Sequence, residues 1–387
     1  MSNTGIAVEL TLATLPTPAL VLDDHKMGAN IKRMRSAVRA RKASFRPHLK
    51  TAKSVPIARR LMDSPRGPAT VSTLLEAEQF AAAGVTDIVY AVGITPDKLP
   101  RVVALRQRGV DLSILVDSLD AAQAVAAYSR ANGNPIPAFI EIDSDGHRAG
   151  LSVRELDQVV AVGRALHDGG AVLAGVLTHA GESYFARGQA ALQTAADGER
   201  DAVVRCATAL RAAGLPVPVV SVGATPTALS ARDLTGVTEV RAGVFVFFDL
   251  VMAGIGVCGI DDIALSVLAT VIGTRTDKGW ILVDAGWMAM SRDRGTAAQP
   301  VDQGYGVVTD LEGRVYPDLI MTTANQEQGI LALRPGSSAS LPPLKLGDRV
   351  RILPNHACAT AAQHQHYHVV AGNDGAITEV WDRFSGW

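Results

Sequence analysis

Up to about residue 255 the chain alternates between two patterns, and this alternation restricts the fold more than any other feature. From Pro18 onward, a short β-branched run is followed by a turn and then by an amphipathic stretch rich in Ala, Leu and charge. Nearly continuous apolar strands separated by helices are typical of a parallel sheet covered on both faces. We predict eight strands, at 43–50, 69–75, 87–93, 111–117, 137–143, 171–180, 217–223 and 238–248.

Eight strand–helix units predict an α/β fold of the (β/α)8 barrel type, because eight parallel strands close a barrel. An open, doubly wound sheet is the alternative, but no G-x-G-x-x-G sequence follows the first strand to support it. The helical patterns at 75–84, 119–133, 155–170 and 200–214 end in Gly, as left-handed helix caps require. We place the barrel domain at 17–252.

Beyond about residue 255 the helical patterns stop. Strand-like runs then follow one another with only turns between them, at 264–274, 279–286, 305–310, 349–355, 367–372 and 376–383. Such a succession predicts a separate β-rich domain, which we assign to 1–16 and 253–387.

The composition excludes several classes of partner. Lys and Arg number 37 against 38 Asp and Glu, with no long run of either sign, which argues against nucleic acid or an anionic membrane. Aspartates interrupt the apolar region 243–273, so that it predicts no spanning helix. Cys206, Cys258 and Cys358 are few and scattered, and the first residues lack a signal-peptide pattern. We expect a cytoplasmic protein.

Polar residues follow the predicted barrel strands, at the ends where parallel barrels carry their chemistry. Lys50 closes the first apolar run, with Arg46, His48 and Lys53 beside it. A lysine in this position can be a Schiff-base nucleophile, since desolvation and nearby cations lower its pKa. Solvated strand-end charges are the alternative for its neighbours. The stretch 221–227, SVGATPT, suits backbone contact with a phosphate, although an ordinary turn fits it equally well.

Near the C terminus, PNHACAT places His356 and Cys358 two residues apart. Residues two apart on a strand point to the same side, so both side chains can hold one ion. A buried Cys beside a hydrogen-bonded His is the alternative. With only two protein ligands, the remaining positions stay open to water or substrate. In HQHYH (364–368) three histidines share a strand face, for which an exposed edge is the favoured interpretation over a further metal site.

These motifs give the chain a resemblance to the alanine-racemase-like pyridoxal-phosphate (PLP) enzymes of fold type III, which join a barrel to a β domain. The resemblance rests on RPHLKTAKS, EIDSDGHRAG, LTHAGESY, SVGATPTAL, EVRAGVFVFFD and ILPNHACAT, and it covers nearly the whole chain. Within that family the chain is similar to the D-serine dehydratase and D-threonine aldolase group. Its H-x-C pair favours the dehydratases, because D-threonine aldolases tend to carry H-x-D there.

The resemblance implies that Lys50 carries PLP as a Schiff base. It further implies cofactor contacts from His48, Arg148, His179, Tyr184 and Arg241, with Arg148 near the phenolic oxygen, His179 against the ring and Arg241 beside the pyridine nitrogen. Contacts to the cofactor phosphate are expected from Gly223, Ala224, Thr225, Gly243 and Val244. By the same resemblance His356 and Cys358 bind a divalent metal, for which zinc, manganese, cobalt and magnesium all stay open. Members of this family usually share active sites between two subunits, which implies a homodimer.

The implied activity is that of a carbon–oxygen lyase, a dehydratase that removes water and ammonia from a D-3-hydroxy amino acid. D-threo-3-hydroxyaspartate, which gives oxaloacetate and ammonia, is the expected substrate. Dehydration of D-serine and aldol cleavage of D-threonine or D-3-hydroxyaspartate are alternatives, and a PLP-binding protein without catalysis is the least favoured. A second substrate carboxylate needs a cationic or hydrogen-bonding partner. Our candidates are Arg292, Arg294, Gln326 and Gln328, for which exposed loop positions are an equal alternative.

Overall fold

A computed structural model describes residues 10–146, 149–372 and 375–387. The chain divides into two compact units. The barrel unit comprises Ile31–Phe245 with Gly386–Trp387, and the β-rich unit comprises Met1–Asn30 with Val246–Ser385. The barrel unit thus begins at residue 31 where we predicted 17 and ends at residue 245 where we predicted 252, so the first boundary differs more than the second.

The barrel unit contains one sheet of eight parallel strands. In spatial order they run β2, β10, β9, β8, β6, β5, β4, β3, and a parallel bridge between His48 and Thr70 joins the two ends. A two-residue strand, β7, pairs with β6 off this path. The strands are β2 (Ser44–Pro47), β3 (Ala69–Val71), β4 (Asp87–Gly93), β5 (Asp111–Val116), β6 (Pro137–Asp143), β7 (Leu151–Ser152), β8 (Val172–Thr178), β9 (Val219–Val222) and β10 (Glu239–Ala242). All eight predicted strands are present, and the predicted barrel is confirmed.

Helices follow the barrel strands as predicted. They are α2 (Val55–Leu61), α3 (Leu74–Ala82), α4 (Leu99–Gln107), α5 (Leu119–Ala131), α6 (Leu156–His167), α7 (Gly188–Ala212) and α8 (Thr225–Ser230), while α1 (Asp24–Ala40) contains the first boundary between the units. At the start of α3, the Thr73 hydroxyl accepts the Glu76 N–H at 3.0 Å, as an N-cap does. Gly84 and Gly214 end their helices at φ values of 94° and 78°, which favour glycine.

Apolar side chains from neighbouring barrel strands pack together. One cluster joins Val89, Leu115, Phe139 and Leu177, from β4, β5, β6 and β8. Burying each such side chain contributes about 1.5–3 kcal/mol, so this packing stabilises the barrel and fixes the strand ends. None of the helices in the described residues combines the length and the apolarity that crossing a bilayer requires.

The β-rich unit contains a largely antiparallel sheet of nine strands. Six of them, β12, β15, β14, β13, β16 and β11, close into a ring because β12 also pairs with β11. Three more extend from β11 in the order β1, β17, β18. The strands are β1 (Ala19–Asp23), β11 (Leu265–Arg275), β12 (Trp280–Val283), β13 (Gly306–Thr309), β14 (Val315–Ala324), β15 (Gly329–Leu333), β16 (Arg349–Pro354), β17 (His366–Val370) and β18 (Ile377–Asp382).

Three of these strands differ from our expectations. The strands β14 and β15 had no counterpart among the predicted runs. The strand β1 lies inside the predicted barrel domain 17–252, but it pairs with β11 and β17 instead of a barrel strand. It is held by a cluster of Leu12, Leu15, Ala19, Val21, Leu268 and Val370. Short helices α9 (Leu250–Gly254), α10 (Trp287–Met290) and α11 (Ala357–Ala361) complete the unit.

Candidate active site

Lys50 lies in a turn at the carboxyl end of β2. The turn is fastened to the two neighbouring strands, since the His48 N–H donates to Ala242 O at 2.8 Å and the Leu49 N–H donates to Thr70 O at 2.8 Å. Leu49 is fully buried and Lys50 is exposed. The sequence therefore places an amine on a rigid turn, at the edge of the barrel where chemistry is expected.

Two of the cations expected around Lys50 form ion pairs with carboxylates. Arg46 forms ion pairs with Glu239 at 2.7 Å and with Asp87 at 2.5 Å, and Lys53 lies 3.2 Å from the carboxylate of Glu76. The idea that Arg46 and Lys53 supply a free positive field is therefore corrected, because their charges are compensated. His48 remains beside Lys50, and its Nδ1 lies 3.4 Å from the backbone nitrogen of Lys50.

The predicted phosphate contacts fall on two buried loops that touch each other. Gly223 and Ala224 connect β9 to α8, and Gly243 and Val244 follow β10. The Phe245 N–H donates to the hydroxyl of Thr225 at 3.3 Å, which joins the two loops.

Both glycines in these loops are close to other backbone. A Cβ at Gly223 would collide with the carbonyl of Arg241, and a Cβ at Gly243 would lie 2.9 Å from His48 O. Side chains are therefore excluded at these positions, and backbone groups form the surface. Such a surface suits a phosphate, which backbone N–H groups bind well.

His179 and Tyr184 lie together after β8. Their ring centroids are 6.1 Å apart with an angle of 47° between the planes. The Nδ1 of His179 lies 2.6 Å from Gly223 O, so the ring is tied to the candidate phosphate loop. Arg148, the remaining predicted cofactor residue of this region, falls outside the described residues.

Arg241 is a buried cation within the barrel. Its Nε donates to the hydroxyl of Ser221 at 2.9 Å, and another guanidinium nitrogen donates to Thr178 O. Burial lowers the pKa of Arg241 to about 10, although Glu239 and Glu199 oppose the shift. The guanidinium stays charged near neutral pH and is held rigidly between β8, β9 and β10.

In the β-rich unit, His356 and Cys358 come together without sharing a strand. The strand β16 ends at Pro354, His356 is the N-cap of α11, and Cys358 lies in the first turn of that helix. The two side chains nevertheless hydrogen-bond to each other. The expectation that alternation along a strand pairs them is wrong, because the change from strand to helix produces their contact.

Two carboxylates support this pair. The Nδ1 of His356 lies 2.7 Å from Asp293 Oδ2, and Asp249 Oδ2 accepts the Ala357 N–H at 2.9 Å. Burial lowers the pKa of His356, but the hydrogen bonds with Asp293 and Cys358 outweigh it and raise the pKa to about 11. With Nδ1 directed at Asp293, the Nε2 of the ring is the nitrogen left for a cation.

The donor set at this pair suits a divalent metal. Imidazole and thiolate are good ligands for zinc, and they leave the remaining positions for oxygen atoms of water or substrate. Among residues 10–146, 149–372 and 375–387, no group of three or more His, Cys, Asp and Glu side chains lies close enough to hold a metal ion. Within that part of the chain, a metal at His356 and Cys358 would therefore have an open coordination sphere.

The candidate residues for a second substrate carboxylate have unequal surroundings. Arg294 is bound to Asp302 at 2.6 Å and lies over the Tyr305 ring at 4.9 Å. Arg292 is exposed and stacks on Trp287 at 4.3 Å. Because Asp293 contacts His356, the loop that carries Arg292 reaches the metal pair.

Gln326 and Gln328 lie in the turn between β14 and β15. The carbonyl of Gln326 accepts the Met288 N–H at 3.1 Å, so this turn is bound to the segment that precedes Arg292. The Gln326 side chain is exposed, whereas that of Gln328 is half-buried. No contact of either amide group with Arg292 is found among the described residues.

The histidines of HQHYH each contact a different group. His364 lies 2.9 Å from Ala289 O, His366 lies 3.0 Å from Asp382 and His368 lies 3.2 Å from Leu20 O. The expected exposed edge is not found, because β17 pairs with both β1 and β18, and His364 lies before this strand and does not share a strand face with the other two.

Sequence reasoning missed Asp293 and Glu199. Asp293 lies between two arginines in SRDRGT, and the signal was available, because a metal-binding histidine usually donates its second N–H to a carboxylate. Glu199 occupies the apolar stripe of α7, where its charge is out of place among buried Ala196, Ala202 and Val203. An ionisable residue within an apolar helical stripe is the sequence feature that could have identified Glu199.

Two known domain families match the chain. Residues 22–251 match the family described as "Alanine racemase, N-terminal domain", and residues 264–370 match the family described as "Putative serine dehydratase domain". The chain is 57% identical to the D-threo-3-hydroxyaspartate dehydratase of Delftia sp. (strain HT23), over 97% of this chain and 99% of the relative. It is 28% identical to the D-serine dehydratase of Dictyostelium discoideum, over 96% of this chain and 98% of the relative.

Solved structures extend the similarity to three dimensions. Two variants of D-threo-3-hydroxyaspartate dehydratase match with TM-scores of 0.95 at 56% identity, over 98% of this chain and 97% and 100% of theirs. In one variant a histidine is replaced by alanine. In the other a cysteine two positions further along is replaced by alanine, and that structure is in the metal-free form. Because the first domain match spans more than half of the chain and the similarity to relatives extends along nearly all of it, the chain belongs to the alanine-racemase-like family that carries a serine dehydratase domain.

Proposed function

We propose that the protein is a PLP- and divalent-metal-dependent dehydratase of D-3-hydroxy amino acids, with D-threo-3-hydroxyaspartate as its main substrate. The observation that carries the proposal is the nearly full-length similarity to the Delftia dehydratase. The similarity to a D-serine dehydratase supports a substrate of D configuration with a β-hydroxyl group.

The barrel unit offers residues that fit PLP. The exposed Lys50 amine suits a Schiff base, and the backbone surface at Gly223 and Gly243 suits the phosphate. When bound, PLP withdraws electrons from Cα of an amino acid and makes its proton removable. In our proposal Lys50 would hold the cofactor, and its Nζ, when free, would accept that proton.

His179 and Arg241 are proposed to contact the cofactor ring. The imidazole of His179 is fixed by Gly223 O and can pack against an aromatic face. The buried guanidinium of Arg241 is a fixed positive charge, and such a charge beside the ring nitrogen disfavours protonation of that nitrogen. An unprotonated ring nitrogen weakens the electron withdrawal by PLP, so that loss of the hydroxyl group depends more on the metal.

His356 and Cys358 are proposed to hold the divalent metal, with Asp293 orienting the imidazole. When bound there, the metal is a Lewis acid that makes a substrate hydroxyl a better leaving group. Two protein ligands leave room for oxygen atoms of the substrate. The thiolate favours zinc, while a coordination sphere completed by oxygen is also compatible with manganese, cobalt or magnesium.

Of the four candidates for the second carboxylate, Arg292 fits best. Among the described residues its guanidinium has no acidic partner, whereas Arg294 is compensated by Asp302. A guanidinium binds a carboxylate through two parallel hydrogen bonds. We therefore propose Arg292 as the group that distinguishes 3-hydroxyaspartate from serine, with Gln326 and Gln328 as further contacts.

The proposed reaction balances in atoms. The substrate loses its Cα proton and its β-hydroxyl group as water, which leaves an enamine that tautomerises to an imine after release. One water molecule then hydrolyses the imine to oxaloacetate and ammonia.

The test is a product analysis with D-threo-3-hydroxyaspartate, D-serine, D-threonine and the L-enantiomers as controls. Ammonia and oxaloacetate in equal amounts from D-threo-3-hydroxyaspartate are expected, with loss of turnover on chelation and recovery when metal is returned. Glycine and glyoxylate without ammonia would replace the dehydratase with an aldolase. Turnover that is unaffected by thorough chelation would remove the metal from the proposal.

We also propose that the enzyme is a homodimer in the cytoplasm. The family usually shares its active sites between two subunits, and none of the three cysteines forms a disulfide bond within the described residues, which suits a reducing compartment. Light scattering of the purified protein is expected to give twice the 40.6 kDa of the single chain. A mass of one chain at micromolar concentration would contradict the dimer.

A further inference from the structure

Glu199 is a buried acid in the middle of α7. Its side chain is 3% exposed, and the neighbouring residues on the same face of the helix are apolar. Burying a carboxyl group in such surroundings is unfavourable unless hydrogen bonds compensate for the lost hydration. An apolar residue at this position would pack against the barrel without that cost. The buried carboxyl group therefore calls for an explanation beyond packing.

The carboxyl group of Glu199 binds the ends of two barrel strands. Its Oε1 accepts the Ala180 N–H at 3.1 Å and the Gly223 N–H at 2.9 Å. One oxygen atom thus joins the segment after β8 to the segment after β9.

These hydrogen bonds connect Glu199, Gly223 and the His179 segment to one another. Gly223 gives its N–H to Glu199, while its carbonyl lies 2.6 Å from Nδ1 of His179. Ala180, which also gives its N–H to Glu199, directly follows His179. Glu199 therefore fixes Gly223 on one side and the backbone of the His179 segment on the other.

Position 223 has only backbone groups to hold it in place. A side chain cannot serve there, since a Cβ would collide with the carbonyl of Arg241. The N–H of Gly223 is instead bound by the acceptor that α7 provides. Burial raises the pKa of Glu199, and the hydrogen bonds from the N–H groups of Gly223 and Ala180 counteract that shift. These two donors thus offset part of the cost of burying the carboxyl group.

We propose that Glu199 is a positioning residue that holds the Gly223–Thr225 segment against the cofactor phosphate and the His179 ring against the cofactor ring. The inference rests on the proposed function, because it takes PLP to bind at these segments. Glu199 itself touches neither group. It acts through Gly223 and Ala180, so its loss should change how PLP is held.

The test compares Glu199→Met, which keeps the size but has no acceptor, with Glu199→Gln, whose amide oxygen can still accept both N–H groups. The matched control is Leu210→Ala, a fully buried position in α7 that lies 11 residues beyond Glu199. Each apoprotein is titrated with PLP by absorbance. The visible circular dichroism of bound PLP and the thermal midpoint are then recorded at saturation.

Glu199→Met is expected to raise the PLP dissociation constant by about tenfold to a hundredfold, the range for lost orienting partners, and to reduce the dichroism of the bound cofactor. Glu199→Gln should stay within about threefold of the wild type, because its oxygen keeps both backbone bonds. Leu210→Ala should lower the thermal midpoint and leave the dichroism unchanged.

Several outcomes would overturn the inference. Wild-type affinity and dichroism in Glu199→Met would show that the loop does not need the acceptor. An equal loss in Leu210→Ala would show that general destabilisation explains the effect. If Glu199→Met does not fold, Glu199→Gln decides, because a large loss of affinity in that variant contradicts positioning by the oxygen acceptor. Absence of PLP binding by the wild type would contradict the proposed function itself.

Discussion

At the scale of single residues, Asp293 separates the two arginines of SRDRGT and contacts the ring that we assign to the metal. Its carboxylate lies 2.7 Å from His356 Nδ1, which fixes the ring and leaves Nε2 for the ion. We predict that Asp293→Ala raises the metal dissociation constant by about tenfold to a hundredfold. Calorimetric titration of metal into chelator-stripped protein checks this.

The control for this prediction is Asp277→Ala, which removes an exposed aspartate of the same unit that pairs with Arg275. Its metal affinity should equal that of the wild type. Asp293→Asn should have an intermediate affinity, because its amide oxygen can still accept from Nδ1. Unchanged affinity in Asp293→Ala would mean that the metal does not depend on the orientation of His356.

Arg292 provides a test of substrate specificity. It is exposed and stacked on Trp287, without an acidic partner among the described residues. A lost charge-assisted hydrogen bond costs about 1.5–3 kcal/mol, so Arg292→Ala should raise KM for D-threo-3-hydroxyaspartate by about tenfold to a hundredfold. D-serine has no second carboxylate, and its KM should be unchanged.

Steady-state kinetics with both substrates check the role of Arg292. The matched control is Arg275→Ala, which removes another exposed arginine of the same unit. Equal increases in KM for both substrates would show that Arg292 does not recognise the second carboxylate.

At the scale of secondary-structure elements, Asp249 joins two short helices next to the metal pair. It is the N-cap of α9, where Oδ1 accepts the Met252 N–H at 2.9 Å, and Oδ2 accepts the N–H of Ala357 at the start of α11. Both donor residues are buried. Asp249→Ala would leave two buried N–H groups without an acceptor, at a cost of about 2–5 kcal/mol in the free energy of unfolding.

Urea unfolding of the metal-free protein measures this cost. Asp249→Asn keeps one acceptor oxygen and should lose roughly half as much stability. The alanine variant should also bind metal more weakly, because α11 carries Cys358 and its N-cap is His356. Equal stability of the wild type and Asp249→Ala would contradict the double-cap role.

The elements show which parts of the fold could be predicted from the sequence. Most barrel strands are nearly continuous apolar runs, and helices separate them, so local pattern identified the barrel, although β2 and β10 also contain charged residues. The strand β14 was not predicted, because Pro317 and Asp318, the latter at a φ of 56°, interrupt its alternation of apolar and polar residues. The pairing of β1 with β11 joins residues more than 240 positions apart, and no local pattern records such a partner.

The site shows a similar limit. The positions of Lys50, Gly223 and His179 after the ends of barrel strands could be predicted from the pattern, because such ends meet at one edge of a barrel, while their roles remain proposals that rest on the resemblance. Glu199 reaches the same edge from a helix, and Asp293 reaches His356 from a loop 63 residues away. Spacing along the chain does not encode such long-range contacts, so only the chemical expectation of a partner could have revealed them.

At the scale of the whole molecule, the two cofactors are assigned to different units. Lys50, Gly223 and Gly243 belong to the barrel unit, whereas His356 and Cys358 belong to the β-rich unit. The carboxylates that support the metal pair, Asp249 and Asp293, also lie in the β-rich unit. The groups that we propose for the metal site therefore all lie within one unit, and we expect the affinity for metal not to require PLP.

We accordingly predict that metal stabilises the protein whether or not PLP is bound. A ligand at a hundred times its dissociation constant adds about 2.7 kcal/mol to the native state, which corresponds to a rise of roughly 5–10 °C in the unfolding midpoint of a unit of this size. Differential scanning calorimetry of the apoprotein and the PLP-loaded protein, each with metal and with chelator, measures the shift. His356→Ala and Cys358→Ala should abolish it, while Cys258→Ala, which removes another cysteine of the same unit that forms no disulfide bond, should retain it. A shift that survives in both ligand variants would place the metal elsewhere, and a shift that appears only with PLP would show that the metal site is incomplete without the cofactor.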